Sequence, residues 1–115
     1  MIMTHLNQAL HNFVAIYHAT EKLVSEQADW QCAIQLLATD TQEMLTLRLV
    51  NGRVVEIGHD LAQADLLVKA EMTTLLDILE FRRDPNEPYL FGELTIQGAE
   101  AHFLRLDYVV TQLCQ

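Results

Sequence analysis

A chain of 115 residues, half of them hydrophobic, carries 16 acidic against 7 basic side chains and a formal net charge of −9. That length suits one core and no more. The charge argues against a nucleic-acid backbone, which is bound through counterion release around Lys and Arg, and against docking on an anionic bilayer.

No run reaches the roughly 18 apolar residues of a membrane span. The first ten residues lack a basic cluster followed by an apolar block, so no signal peptide is expected and the cytoplasm is the default location. One domain is expected over residues 1–115, with a helix and link over 1–29 and a sheet with its covering helices over 30–115.

Leu6, Leu10, Phe13, Tyr17 and Val24 recur at helical spacing, with Thr20 in the gap, Val14 beside the stripe, and Ile16 and Leu23 widening it. Thr4 suits the cap, although Asn7 rather than an acid or Gln follows three residues on. The spacing predicts one helix over 6–24, longer than an average element. It either covers the sheet along its length or pairs in part with another subunit.

After a polar link at 25–29, two alternating runs predict strands. Trp30, Cys32, Ile34 and Leu36 share one parity, and Leu45, Leu47 and Leu49 stand opposite Thr46 and Arg48. The short polar connection at 39–42 makes these strands antiparallel. Asn51-Gly52 between Val50 and Arg53 is a type I′ hairpin signal, giving a third strand over 53–57 that ends at Gly58-His59-Asp60. A link at 61–63 leads to a very apolar fourth strand at 65–70 (Leu66, Leu67, Val68). Without clean alternation, this strand is expected to be buried on both faces and central.

Residues 72–81 predict a helix with Leu75, Leu76 and Leu79 as its apolar stripe and Met72 one turn earlier. Glu71 complements its start, and Arg82-Arg83 its end, where the pair either stays solvated or meets an acidic head group. Residues 84–88 break the pattern, with Pro85 at the first position of a short helical turn. Residues 89–97 read as the fifth strand. Gly92 inside it marks a bulge, a closely packed helix or room for an apolar ligand. Gly98 closes the strand.

A last helix over 99–113 carries Phe103, Leu106, Val110 and Leu113 on one side and Glu100, Asp107 and Thr111 on the other. Leu104 and Tyr108 are surplus apolar surface that calls for a second partner.

Chemistry-bearing patterns are thin. His5, His11, His18, His59 and His102 show no metal-ligand spacing. Glu100 and His102, two apart on a helix, do not face each other. Ser25 is the only serine and has no nucleophile elbow around it. Gly52, Gly58, Gly92 and Gly98 form no phosphate cradle. Cys32 and Cys114 read as free thiols in a reducing compartment. Neither a catalytic residue, a metal nor a cofactor is expected.

Several stretches resemble the sterol carrier protein 2 (SCP-2) family. They are Leu49-Val50-Asn51-Gly52-Arg53-Val54-Val55-Glu56-Ile57-Gly58, Ala64-Asp65-Leu66-Leu67-Val68 and Thr74-Leu75-Leu76-Asp77-Ile78-Leu79. The fourth is Arg83-Asp84-Pro85-Asn86-Glu87-Pro88-Tyr89-Leu90-Phe91-Gly92-Glu93-Leu94-Thr95-Ile96-Gln97-Gly98, whose end has the form x-G-x-(L/I)-x-(I/V)-x-G. The resemblance covers roughly residues 30–113 and is a spread of patterns rather than a catalytic motif.

It implies an α+β fold, with a five-stranded, mostly antiparallel sheet covered on one side by helices. It also implies an apolar tunnel for sterols, acyl chains or phospholipids, walled by Met72, Leu75, Leu76, Leu79, Leu90, Phe91, Phe103, Leu106 and Val110. The ending Leu113-Cys114-Gln115 lacks the targeting tripeptide of peroxisomal members, which favours a stand-alone bacterial version. Some bacterial relatives are accessory proteins of ubiquinone biosynthesis. The implied function is non-catalytic carriage of a lipid-like ligand: a sterol, an acyl lipid or an isoprenoid quinone intermediate. The alternative is a ligand-free module that dimerises or assists a partner enzyme.

Overall fold

Asn51 and Gly52 both take positive φ, 52° and 79°, as a type I′ turn requires. They join β2 (Met44–Val50) to β3 (Arg53–Gly58). Around this hairpin the computed structural model, which describes residues 5–59 and 63–114, places β1 (Cys32–Ala38), β4 (Leu66–Ala70) and β5 (Leu94–Gly98). The strand order is β3-β2-β1-β4-β5. β1 pairs antiparallel with β2 and parallel with β4, and the other neighbours are antiparallel. This is the expected five-stranded, mostly antiparallel α+β sheet. Thr4 as a cap, Asp60 at the end of the third strand and residues 61 and 62 of the link lie outside the described residues.

Register makes one face of the sheet apolar. Ile34 stands opposite Leu47 and Leu66, and Leu36 opposite Leu45 and Val68, which in turn faces Ile96. Alternate residues of β1 (Cys32, Ile34, Leu36, Ala38) are all buried. β4 is an interior strand but not the central one, and it does alternate: Leu66, Val68 and Ala70 are buried while Leu67 and Lys69 are half-exposed. Its apolar composition reflects one buried face, not two.

The long N-terminal helix is in fact two, α1 (His5–Ala19) and α2 (Glu21–Glu26). Thr20 breaks it. Its hydroxyl donates to the Ile16 carbonyl at 2.9 Å while its own N–H turns to Tyr17, so a side chain takes the place of a helical backbone bond. Leu6, Ala9, Leu10 and Tyr17 from α1, with Leu23 and Val24 from α2, are buried. β1 begins at Cys32, because Trp30 N–H closes a turn onto Gln27 O.

α3 (Met72–Leu79) ends before the expected Phe81. Phe81 has φ 61°, and the N–H groups of Arg82 and Arg83 both return to the Asp77 carbonyl, a left-handed closure of the helix. Phe81 stacks on Phe13 of α1, ring centroids 5.6 Å apart.

The largest departure follows. Residues 86–90 form a helix, α4 (Asn86–Leu90), in place of the first half of the expected fifth strand. The Asp84 carboxylate accepts the Asn86 N–H at 2.8 Å, Pro85 supplies a helical φ of −66°, and Tyr89 N–H bonds to Pro85 O. Gly92, at φ 77° with open space around it, lies in the turn between α4 and β5 and not within a strand. The chain closes with α5 (Glu100–Leu113). Arg105 ties α5 to the link before β1, donating to both Asp29 carboxylate oxygens at 2.8 and 3.0 Å.

Candidate functional site

The buried face of the sheet does not meet the helices flush. Between them lies a cavity of about 410 Å³. Its floor is Ile34, Leu36, Leu47, Val68, Leu94 and Ile96, the inward parity of four strands. Leu10 and Phe13 come from α1, Leu75, Ile78 and Leu79 from α3, and Phe103, Leu106 and Val110 from α5. Pro85, Asn86, Tyr89 and Leu90 bring the α4 segment against the same space. The polar lining is Asn86 and Asp107, both exposed, which places polarity at the rim and hydrocarbon inside. Leu90, 78% exposed, marks the solvent side of that rim. Tyr89 holds α4 to α5 through its ring, 5.5 Å from that of Phe103.

Of the residues expected to wall a tunnel, Leu75, Leu79, Leu90, Phe103, Leu106 and Val110 share this cavity. Leu76 is packed in the core, Met72 lies against it half-buried, and Phe91 points to solvent at 76% exposure. Leu90 and Phe91 were expected on a strand; they stand at the end of α4 and at its C-cap instead. The floor residues, with Leu10, Phe13, Ile78 and Tyr89, are additional. Their signal in the sequence was strand parity and helical spacing, which mark a core as readily as a cavity.

Arg82 and Arg83 do not reach the cavity. Arg82 pairs with Asp77 at 2.8 Å and Glu80 at 3.1 Å, and Arg83 with Glu93 at 3.1 Å. Arg83 borders a separate polar depression of about 490 Å³ with Lys69, Thr95, Glu71 and Glu93. There the Glu93 carboxylate already pairs with the Arg83 charge.

A second grouping has no precursor in the chain's short-range spacing. Cys32 Sγ, an Asp65 carboxylate oxygen and a His102 ring nitrogen lie within 4.8 Å of one another. Burial, helped by the charge of Asp65, pushes the Cys32 thiol up to about 12. The His102 Nδ1 lone pair accepts the Trp30 indole N–H at 3.0 Å. A thiol that keeps its proton beside an imidazole whose lone pair is engaged is no nucleophile–base pair. Cys32 and Cys114 are both free.

No protein-family model and no curated protein sequence matches the chain. Solved structures do. A crystal structure of sterol carrier protein 2 superposes with a TM-score of 0.66 at 16% identity, covering 94% of this chain and 95% of that one. The fold is that of sterol carrier protein 2. A ubiquinone synthesis protein, UbiJ-SCP2, shares the SCP-2 fold with a TM-score of 0.68, 16% identity and 94% of each chain covered. The palmitated SCP2L2 of Aedes aegypti gives 0.69 and 17% over 89% of this chain and 90% of its own. Among the described residues, no helix is long and apolar enough to cross a membrane.

Proposed function

We propose that this SCP-2 domain carries an apolar, lipid-like ligand, without catalysing a reaction on it, in the space between its sheet and the helices that cover one face. The observation that supports this is the cavity of about 410 Å³ whose lining is hydrocarbon except at the rim. Close-packed interiors keep few voids larger than a water molecule, whereas ligand pockets run from about 300 to 1,000 Å³. Each methylene withdrawn from water contributes roughly 0.8 kcal/mol, so eight supply about 6 kcal/mol before ordering costs. The ligand wall then includes Leu75, Leu79, Leu90, Phe103, Leu106 and Val110.

Asp107 and Asn86 at the rim suit the polar end of such a ligand. A carboxylate repels an acidic head group and accepts from a hydroxyl. This favours a sterol or a prenylated phenolic ring over a free fatty acid. The likeness to a ubiquinone synthesis protein supports an isoprenoid quinone intermediate as the ligand, and the cytoplasm is the proposed setting.

A docking module is the second reading, favoured by Leu104 and Tyr108, one turn apart on α5 and 54% and 41% exposed. Their apolar surface suits a partner enzyme or a second copy. Native mass spectrometry of the protein from its own host, followed by solvent extraction, separates the two. A lipid retained at one copy per chain is the expected result. An empty chain recovered only as a dimer or in complex with an enzyme overturns carriage and supports the module.

A further inference from the structure

Cys32, Asp65 and His102 meet because the backbone leaves them no separation. Cys32 opens β1 on its buried side. Asp65, just before β4, is locked to β1 twice: its N–H donates to Ala33 O at 2.8 Å, and its Oδ2 accepts the Ala33 N–H at 2.8 Å. Gly98, at φ 146°, lies so close that a Cβ there would sit 2.2 Å from the Asp65 carbonyl. α5 therefore starts hard against Asp65, and its first turn brings His102 onto the other two.

We propose that Cys32, Asp65 and His102 are a three-ligand site for a zinc-class divalent ion, with a fourth position open to water. A thiolate, an imidazole and a carboxylate are the donor types zinc takes, and three protein ligands with one open position is an arrangement it adopts. Bonds of about 2.0–2.3 Å set tetrahedral ligand atoms about 3.3–3.8 Å apart. From the present 4.8 Å limit, side-chain rotation of roughly 1 Å closes the set. Oδ2 of Asp65 is engaged with Ala33, which leaves Oδ1 for the ion, and Asp65 is exposed, which provides an entry path. Cys32 has only a 3.8 Å contact to the Ala33 carbonyl to give up. On binding, its proton leaves to solvent and the sulfur–metal bond replaces the S–H bond.

The Trp30 contact supplies a reporter. A neutral imidazole has one in-plane lone pair, and the Trp30 indole N–H now uses it. Ligation through Nδ1 displaces the indole directly. Ligation through Nε2 requires the other tautomer, whose Nδ1 carries a proton and rejects the indole. Either way the ion and the Trp30–His102 bond exclude each other, and Trp30 is the only tryptophan in the chain.

The test is titration of the full chain with Co²⁺ and then Zn²⁺, reading absorbance and Trp30 emission together. The expected result is one Co²⁺ per chain with a thiolate-to-cobalt band, an emission change at the same stoichiometry, and reversal of the band by Zn²⁺. Cys32→Ser removes the band and Cys114→Ser leaves it. Asp65→Asn can still accept the Ala33 N–H yet weakens binding by about tenfold or more, so the site remains testable if Cys32→Ser does not fold. Co²⁺ bound without a thiolate band, a band that follows Cys114, or Trp30 emission that does not move overturns the assignment.

Discussion

The Tyr17 hydroxyl donates a hydrogen bond to the Gly52 carbonyl, joining the end of α1 to the turn between β2 and β3. One residue on, His18 Nε2 accepts the Val54 N–H at 3.0 Å. Two adjacent side chains thus clamp the hairpin to the helix that contributes Leu10 and Phe13 to the cavity. Tyr17 is buried, so its bond forms away from water. Tyr17→Phe should cost about 1–2 kcal/mol in urea denaturation, the price of a buried carbonyl left without its donor. A midpoint equal to that of the parent chain would remove the clamp from the account.

The second half of the clamp is sensitive to acid. Burial, together with the nearby positive charge of Arg53, holds the His18 imidazole below its ordinary value of 6.5. Its folded-state value is the lower one, so between the two values the unfolded chain binds more protons than the folded chain. The contribution of His18 is therefore complete above about pH 6.5 and is lost as pH falls through the folded value. Urea midpoints should drop between pH 7 and pH 5, and His18→Gln should flatten that part of the profile. An unchanged slope in the variant assigns the acid sensitivity to another group.

Leucines on and off the cavity should respond differently to truncation. Leu66 is fully buried and away from the cavity, so Leu66→Ala should cost about 2–5 kcal/mol. Leu79 faces space on one side, so Leu79→Ala should cost less but weaken retention of a bound lipid. Equal stability losses with an unaltered lipid titration would mean that Leu79 is an ordinary core residue.

Two glycines separate backbone strain from steric exclusion. Gly92 has φ 77° and nothing near its missing side chain, whereas Gly98 faces the Asp65 carbonyl. Gly92→Ala should cost about 1–2 kcal/mol from the left-handed backbone alone. Gly98→Ala adds overlap with β4 and should cost about 3 kcal/mol or more. Thermal melts of the two variants measure the difference, and a Gly98→Ala melt as mild as that of Gly92→Ala would mean that the start of α5 yields easily.

Local chemistry by itself determined the hairpin, the inward parity of β1 and β2 and the apolar side of α5. Asn51-Gly52 tolerates two positive φ angles whatever surrounds it, and Phe103, Leu106 and Val110 share a helix face by spacing alone. Residues 89–93 were not decided this way, because their alternation continues that of β5 without interruption. Pairing decided them. β4 ends at Ala70 opposite Leu94 and the chain turns into α3, so residues before Leu94 have no β4 residue left to bond. The Asp84 carboxylate and Pro85 then start a helix instead, and Leu90 and Phe91 leave the sheet. Tertiary structure alone also decided the cavity and the Cys32–Asp65–His102 group. Whether apolar faces close on each other or stand apart depends on how α4 and α5 dock. Three side chains from three elements meet only once the β1–β4 register and the close approach at Gly98 are in place.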